Sequence, residues 1–90
     1  METNHLSGPL TPTSLLARLV GARVCVRLKW DLEYYGVLES FDSYFNLELR
    51  DAEEKQPEGT SILLGDMLIR CNNVLYIRDL RSTISVQPSH

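Results

Sequence analysis

The sequence has few of the residues on which catalysis and metal binding usually depend. It contains two histidines, His5 and His90, in the terminal segments, and two cysteines, Cys25 and Cys71, far apart and without a CxxC spacing. No Ser-His or Cys-His pair and no glycine-rich phosphate loop stands in a suitable context. We therefore expect no enzyme, no cofactor or metal site and, in a reducing compartment, no disulfide.

Long apolar runs are also missing, as is an export signal. The longest run of apolar residues is short, which argues against a transmembrane helix. The first residues, METNHLSGP, lack the basic start and the apolar core of a signal peptide. These absences favour the cytosol or the nucleus.

Positive charge is scarce overall. The chain has a net charge of −3 and a sequence pI of about 5.2, which argues against a broad basic face on duplex nucleic acid. However, seven of the nine basic residues are arginines, and arginine suits forked hydrogen bonds and stacking on planar groups. Acidic residues crowd positions 48–58. A small, focused anion site is therefore compatible with this composition.

The first structured element is predicted to be a short helix. Thr11-Pro12 is typical of a helix start, with Thr as the cap and Pro at the first helical position. Gly21 suits the position just past a helix end. Because a helix of about two turns is unstable alone, it must pack on an apolar surface. Its apolar face consists of Leu15, Leu16, Leu19 and Val20.

Five short strands are predicted after the helix, from the alternation of apolar and polar residues. Trp30 continues the apolar face of the first strand. Gly36 inside the second strand suggests a sharp bend or a close backbone approach, and Phe41, out of phase with Leu38, suggests a bulge. The polar residues 51–60 are expected to form a solvated loop. The strands cover residues 23–30, 34–41, 45–50, 61–70 and 74–78.

These elements indicate one small domain at residues 11–79, between a flexible arm at 1–10 and a loose C-terminal tail at 80–90. They favour a mostly β fold, in which the helix lies on a strongly bent, five-stranded antiparallel barrel of the SH3-like or OB-like kind. The fourth and fifth strands are largely apolar on both faces, and such exposed edges usually find a partner. We therefore expect the chain to form oligomers.

Two predicted turns carry the most specific chemistry. Residues 42–46 offer a carboxylate, an aromatic ring and an amide, and residues 70–72 offer a cation and a second amide. Stacking combined with hydrogen bonds to base edges is how proteins recognise single-stranded RNA. Taken singly, Tyr44 could be a surface aromatic, Asn46 a turn former and Arg70 a solvated charge. Spacing alone leaves both interpretations open.

The same turns carry a resemblance to a known family. The stretch from Val24 to Leu49, which includes Gly36, Asp42 and the Phe45-Asn46 pair, resembles the first Sm motif of the Sm/Lsm proteins. The stretch IRCNNVLYIR, residues 69–78, is similar to the second Sm motif. Most members have Gly after the Arg of this motif, where this chain has Cys. The resemblance covers roughly residues 14–79.

Membership would imply a subunit of a seven-membered ring, in which the fourth strand of one subunit pairs with the fifth of the next. The Cys in the second motif points to a branch whose ring partners are Sm proteins E and G and a D-type Sm protein. Such a ring assembles on a uridine-rich single strand of small nuclear RNA and acts in pre-mRNA splicing. The resemblance thus implies location in the nucleus, with assembly in the cytoplasm.

The resemblance also assigns roles to the residues of the two turns. Tyr44 matches the residue that stacks on a base, and Asn46 matches the residue that hydrogen-bonds the base edge. Arg70 matches the basic residue that contacts base or phosphate, whereas Cys71 and Asn72 complete that turn and shape the pocket.

Asp42 matches an acidic position that would orient Asn46 or Arg70 rather than touch RNA. Two departures from the family pattern lie beside it. Ser43 stands where close relatives often have Gly, and Phe45 stands where Met is common.

Two alternatives remain open. One is a subunit of an Lsm ring that binds oligouridylate ends in RNA decay or in small-RNA maturation. The other is a small barrel that binds peptide tails through an aromatic cage. An aromatic cage needs several exposed aromatic rings around one cation, and most aromatic residues of this chain fall at core positions or in one turn.

Overall fold

The computed structural model describes residues 11–88, so the predicted arm lies outside the described part of the chain. The first element is helix α1, Pro12–Ala17. The Ser14 amide donates to Thr11 Oγ1 (3.1 Å) and the Thr11 amide donates to Ser14 Oγ (2.9 Å), which forms a capping box. The predicted helix start is therefore confirmed.

The helix ends earlier than predicted. Its C-cap is Arg18, and Gly21 follows only after a further turn, in the left-handed region with φ +88°. Leu16 and Leu19 are buried on the predicted apolar face, but Val20 is exposed. The Gly21 amide donates to the carbonyl of Leu38 (2.8 Å), so this second turn fastens the helix to the sheet.

The rest of the described chain forms six strands, which are β1 Arg23–Leu28, β2 Glu33–Phe41, β3 Leu47–Lys55, β4 Ser61–Ile69, β5 Val74–Asp79 and β6 Ser85–Val86. They pair in one antiparallel sheet in the order β4-β3-β2-β1-β5-β6. The mostly β fold with an N-terminal helix is confirmed, and a short sixth strand joins the five predicted ones. A 3-10 helix, Cys71–Asn73, connects β4 to β5.

The sheet bends where β2 crosses β3. A Cβ atom on Gly36 would lie 3.0 Å from the Arg50 carbonyl oxygen and 3.1 Å from Ala52 Cα, so any other residue would push the backbone of β3 away here. The β2–β3 register shifts on both sides of Val37. The second shift, between Leu38 and Ser40, is the bulge that the phase of Phe41 predicted.

The predicted loop at residues 51–60 is wrong for its first half. β3 continues to Lys55, and the turn closes only with the hydrogen bond from the Gln56 amide to the Thr60 carbonyl (2.8 Å). The outer part of β4, from Ser61 to Asp66, is exposed throughout. This hairpin projects beyond the core, so most of its residues do not alternate between buried and exposed positions. Its polar strand segment, residues 51–55, therefore resembles a loop in sequence.

The core lies between the sheet and the segment formed by α1 and the turn after it. Its fully buried members come from the helix, from that turn and from β1, β2, β3 and β5, and they form a single cluster. The largest are Leu16, Leu19, Leu38, Leu47, Leu49 and Ile77. Burying these apolar side chains is the main term that stabilises so small a fold.

Cys25 lies outside this cluster on the opposite face of β1. Its cross-strand neighbours are Tyr35 on β2 and Arg78 on β5, and the thiol is fully buried. Burial raises the pKa of the Cys25 thiol, and burial likewise raises the pKa of Tyr35 to about 12. Cys25 and Cys71 are not bonded to each other.

Two strand patterns differ from the prediction. β1 ends at Leu28, and Trp30, predicted on its inward face, is 64% exposed in the turn that follows. The β1–β5 register shifts between Arg27 and Leu28. Strict alternation predicts Leu75 and Ile77 on the same face of β5. Because this bulge interrupts the alternation, Leu75 is exposed whereas Ile77 is buried.

The predicted loose tail is wrong for residues 80–86. Asp79 is buried, and its carboxylate accepts hydrogen bonds from the Arg81 amide (2.9 Å) and from Ser82 Oγ (3.1 Å). The Asp79 amide donates to the Ile84 carbonyl (2.9 Å). The chain therefore reverses, and Val86 of β6 is only 2% exposed.

Candidate nucleic-acid interface

The first predicted turn joins β2 to β3 and is organised by one carboxylate. Asp42 Oδ1 accepts hydrogen bonds from the amides of Tyr44 (2.9 Å) and Asn46 (3.0 Å). Asp42 Oδ2 accepts from Asn46 Nδ2 (2.9 Å). An aspartate that bonds to amides ahead of it in this way fixes the turn and the direction of the side chains on it.

Phe45 anchors this turn in the core. Its backbone lies in the left-handed region at φ +68°, which costs a non-glycine residue strain, yet its side chain is 4% exposed and belongs to the core cluster. Because Phe45 points inwards, its neighbours on the turn do not. Tyr44 is 76% exposed, so its ring is accessible for stacking.

Asn46 joins the first turn to the second. Its Oδ1 accepts a hydrogen bond from the Cys71 amide (3.0 Å), which belongs to the 3-10 helix between β4 and β5. An asparagine side chain offers two N–H donors and two acceptor positions. The bond to Asp42 uses one of the N–H donors, and the bond from the Cys71 amide uses one of the acceptor positions. One donor and one acceptor therefore remain for a ligand.

Arg70 precedes the 3-10 helix and extends into solvent. Its carbonyl accepts from the Asn73 amide (3.1 Å), which closes the second turn. Within residues 11–88, carboxylates form ion pairs with four arginines, and Arg70 is not among them. The paired ones are Arg23, Arg27, Arg50 and Arg81.

The charge of Asp42 is stabilised in place. Hydrogen bonds from Asn46, the side chain first and then the backbone, hold the pKa of this carboxyl below its ordinary value of 3.8. The Tyr44 amide and the nearby charge of Arg70 act in the same direction. The carboxylate thus stays ionised at neutral pH and remains an acceptor for the turn.

A cavity of about 390 Å³ lies beside the two turns. Tyr44 and Cys71 contribute to its wall from the two turns, and the start of α1 and the C-terminal segment close the other side. Its size falls in the range of small-ligand pockets. The remaining lining residues are Pro12, Thr13, Ser43, Phe45 and Pro88.

The arrangement can bind a planar polar group. An exposed aromatic ring can stack on an unpaired base, an oriented amide can hydrogen-bond its edge, and a cation can neutralise its phosphate. Across residues 11–88 no three His, Cys, Asp or Glu side chains are grouped to hold a metal ion. No described helix is long and apolar enough to cross a membrane.

The structure brings the predicted site residues to one end of the sheet. Asp42, Asn46 and Cys71 are in direct contact through hydrogen bonds, while Tyr44, Arg70 and Asn72 are exposed around them. The sequence did not reveal that Phe45 anchors the turn or that Asn46 holds the Cys71 backbone. A positive φ leaves no signal at a phenylalanine, and the second contact spans residues distant in sequence.

Comparison with known proteins supports the same family. The family model described as LSM domain matches residues 14–79, which is most of the chain. The chain is 51% identical over 69 residues to small nuclear ribonucleoprotein F of Schizosaccharomyces pombe, an alignment that covers 77% of this chain and 88% of that protein.

Solved structures of Sm proteins have the same fold. The SmAP1 heptamer of P. aerophilum matches with a TM-score of 0.76 and 37% identity, over 81% of this chain and 97% of that one. The Sm protein of Pyrococcus abyssii, solved in complex with a uridine heptamer, matches with a TM-score of 0.70 and 34% identity, over 76% and 96%. The chain described here therefore belongs to the LSM-domain family, that of the Sm and Sm-like proteins.

Proposed function

We propose that this chain is one subunit of a seven-membered Sm ring that binds a uridine-rich single strand of spliceosomal small nuclear RNA and acts in snRNP assembly and pre-mRNA splicing. The observation that carries the proposal is the contact between Asn46 and the Cys71 amide, supported by Asp42. This contact holds together the two turns that carry the aromatic ring of Tyr44 and the cation of Arg70. The similarity to small nuclear ribonucleoprotein F supports the choice of RNA.

In the bound state Tyr44 stacks on one uracil. Asn46 uses its remaining donor and acceptor on the uracil edge, which itself presents an acceptor beside a donor. Arg70 contacts the base or its phosphate from the second turn, and Cys71 and Asn72 shape the wall between them. The chain performs no catalysis in this role, because binding alone holds the strand.

The outer edge of β4 supports assembly into a ring. Leu63 is 83% exposed, and Ile62, Leu64 and Leu68 beside it are exposed as well. An apolar edge strand is a template for strand addition. When a contact joins two different edges of similar subunits, repetition closes a ring if the rotation allows it. The heptamer of the P. aerophilum relative supports seven as the number of subunits.

Sm proteins E and G and a D-type Sm protein are the ring partners in this proposal, and the complex acts in the nucleus after assembly in the cytoplasm. The similarity to small nuclear ribonucleoprotein F and the Cys at position 71 support this ring over an Lsm ring of RNA decay. Sequencing of the RNA recovered with the chain from cells separates the two. Small nuclear RNA supports the proposal, and fragments of messenger RNA would favour the Lsm ring.

Titration of reconstituted rings with a uridine-rich oligonucleotide tests the binding role. Stacking is worth about 1–3 kcal/mol per base, but other subunits continue to hold the strand. Tyr44→Ala should therefore weaken affinity by about tenfold or less, whereas the matched control Tyr44→Phe keeps the ring and the affinity. Arg70→Ala should weaken binding and flatten its salt dependence, whereas Arg18→Ala, which removes an exposed arginine at the C-cap of α1, should not.

Native mass spectrometry of each ring accompanies the titration, because a variant that fails to assemble says nothing about RNA. Native-like affinity in a correctly assembled Tyr44→Ala, Arg70→Ala double variant would mean that these turns do not contact RNA.

A further inference from the structure

The two edges of the sheet are unequal in the free chain. The outer edge of β4 has no strand beside it within residues 11–88, whereas the outer edge of β5 is covered by β6. The covering strand pairs Val86 with Ile77 and Ser85 with Arg78. A ring built from contacts between the β4 edge and the β5 edge needs both edges open.

The part of β5 that β6 leaves open is short and irregular. It consists of Val74, Leu75 and Tyr76, opposite the register shift in β1. A regular ladder of hydrogen bonds to a neighbouring strand needs consecutive residues whose N–H and C=O groups point to it in a regular pattern. A bulge interrupts that pattern. The regular half of the β5 edge is the half that β6 occupies.

β6 is held by few contacts. The Asp79 carboxylate fixes the turn through Arg81 and Ser82, Val86 fills a place in the core, and Ile84 packs beside it. The strand itself is two residues long, whereas β4 is nine residues long with an apolar, exposed outer edge. A β4-type strand can therefore make more backbone hydrogen bonds to β5 than β6 makes.

The segment also lies outside the family-matching part of the chain. The LSM domain match ends at residue 79, and the turn and β6 follow at residues 80–86. The sheet that the family model covers is complete without them, so β6 is an addition to the domain and not one of its own strands.

We propose that residues 80–86 are a placeholder strand, which covers the β5 edge of the free subunit and is displaced by the β4 strand of a ring neighbour during assembly. This inference rests on the ring proposed above. The placeholder protects an edge that would otherwise pair with any exposed strand, and it sets a barrier that only a longer apolar strand overcomes.

A reversible disulfide between β5 and β6 tests the displacement. Arg78→Cys and Ser85→Cys place cysteines at directly paired positions, in a Cys25→Ala background because Cys25 also neighbours position 78. Oxidised, the chain should not enter a ring with its partner Sm proteins. After reduction the same sample should enter it. The Cys25→Ala chain and the single Arg78→Cys variant in the same background, treated with the same oxidant, are the matched controls.

A second variant releases the strand instead of locking it. Val86→Asp places a charge where the native side chain is 2% exposed. Because the burial of one valine no longer holds β6 on β5, ring incorporation should be about tenfold faster. Gln87→Asp adds the same charge at an exposed neighbour and should leave the rate unchanged. Circular dichroism of both variants verifies that the sheet is retained.

The outcomes separate this inference from the proposed function. If the oxidised, locked chain enters the ring as fast as the reduced one, or if Val86→Asp incorporates no faster than native while its sheet is retained, β6 is not a placeholder. If the native chain itself forms no ring with the partners, the proposed function fails.

Discussion

The two ends of the sheet satisfy their polar groups in different ways. At the end with the two turns, Asp42, Asn46 and the Cys71 backbone bond to one another, and Tyr44 and Arg70 are left exposed. At the β3–β4 hairpin end, charged side chains pair across the surface, while the apolar β4 edge has no strand beside it in the part of the chain that the structure describes.

This difference separates two tasks within a small domain. A closed hydrogen-bond network presents side chains in fixed positions, which suits recognition of a base. An apolar strand with an open edge presents backbone groups and buried area, which suits another protein chain. The acidic character of the hairpin adds to the separation, because negative charge repels RNA from the surface that must meet protein. Ion pairs such as Arg23 with Glu53 (2.7 Å) and Arg27 with Glu33 (3.1 Å) neutralise the arginines there.

The largest effect is expected from removing the anchor of the turn end. Phe45→Ala should lower the free energy of unfolding by about 3–5 kcal/mol, because it empties a core position. Leu63→Ala at the hairpin end should change it by less than about 0.5 kcal/mol in the free chain, since the side chain is exposed. Chemical denaturation measures both. Equal effects would remove the distinction between the two ends.

A smaller loss of stability is expected at the link between the turns. Asn46→Ala leaves the Cys71 amide without its partner and should cost about 1–3 kcal/mol. In a reconstituted ring it should relax the preference for uracil at one position more than it lowers overall affinity. Denaturation and competition between uridine and cytidine oligonucleotides test the two parts. A fully stable variant would show that the link is dispensable.

An element of the fold could be predicted from the sequence where residues close to it in the chain determine its structure. Alternation in β1 and β2, the cap at Thr11 and the close approach at Gly36 depend on neighbouring residues or on one residue type, so the sequence predicted them. The outer half of β3 and the whole of β6 could not be predicted in this way. The first has one buried residue, Ala52, among polar ones, and the second is two residues that depend on the turn at Asp79.

The site was predicted as a set of residue types but not as a network. Asn46 and Cys71 meet only because β3 and β4 pair with Leu47 opposite Ile69, which brings the two turns together. That register depends on the whole hairpin, including the part mistaken for a loop. The inward direction of Phe45 likewise depends on the core that receives it.

The smallest effect is expected on the pH dependence of stability, when the Asp42 carboxylate is removed. Because hydrogen bonds lower the pKa of folded Asp42 below its ordinary value of 3.8, its contribution to stability is complete above that value and is lost as the pH falls through the lower, folded value. Asp42→Asn should therefore make the acid end of the stability profile shallower. Thermal unfolding between pH 2 and pH 7 measures the slopes. Parallel profiles for native and Asp42→Asn chains would contradict the role of this carboxylate.

The most direct test of the account is ultraviolet cross-linking of a uridine-rich oligonucleotide to the reconstituted ring, followed by mass spectrometry of the cross-linked peptides of this chain. Because Tyr44 is exposed on the ordered turn and is proposed to stack on uracil, the account predicts a cross-link at Tyr44 that disappears in Tyr44→Ala rings of unchanged mass. It predicts no cross-link at residues 51–66 of the hairpin. Cross-links confined to that hairpin, with none at the two turns, would contradict the account.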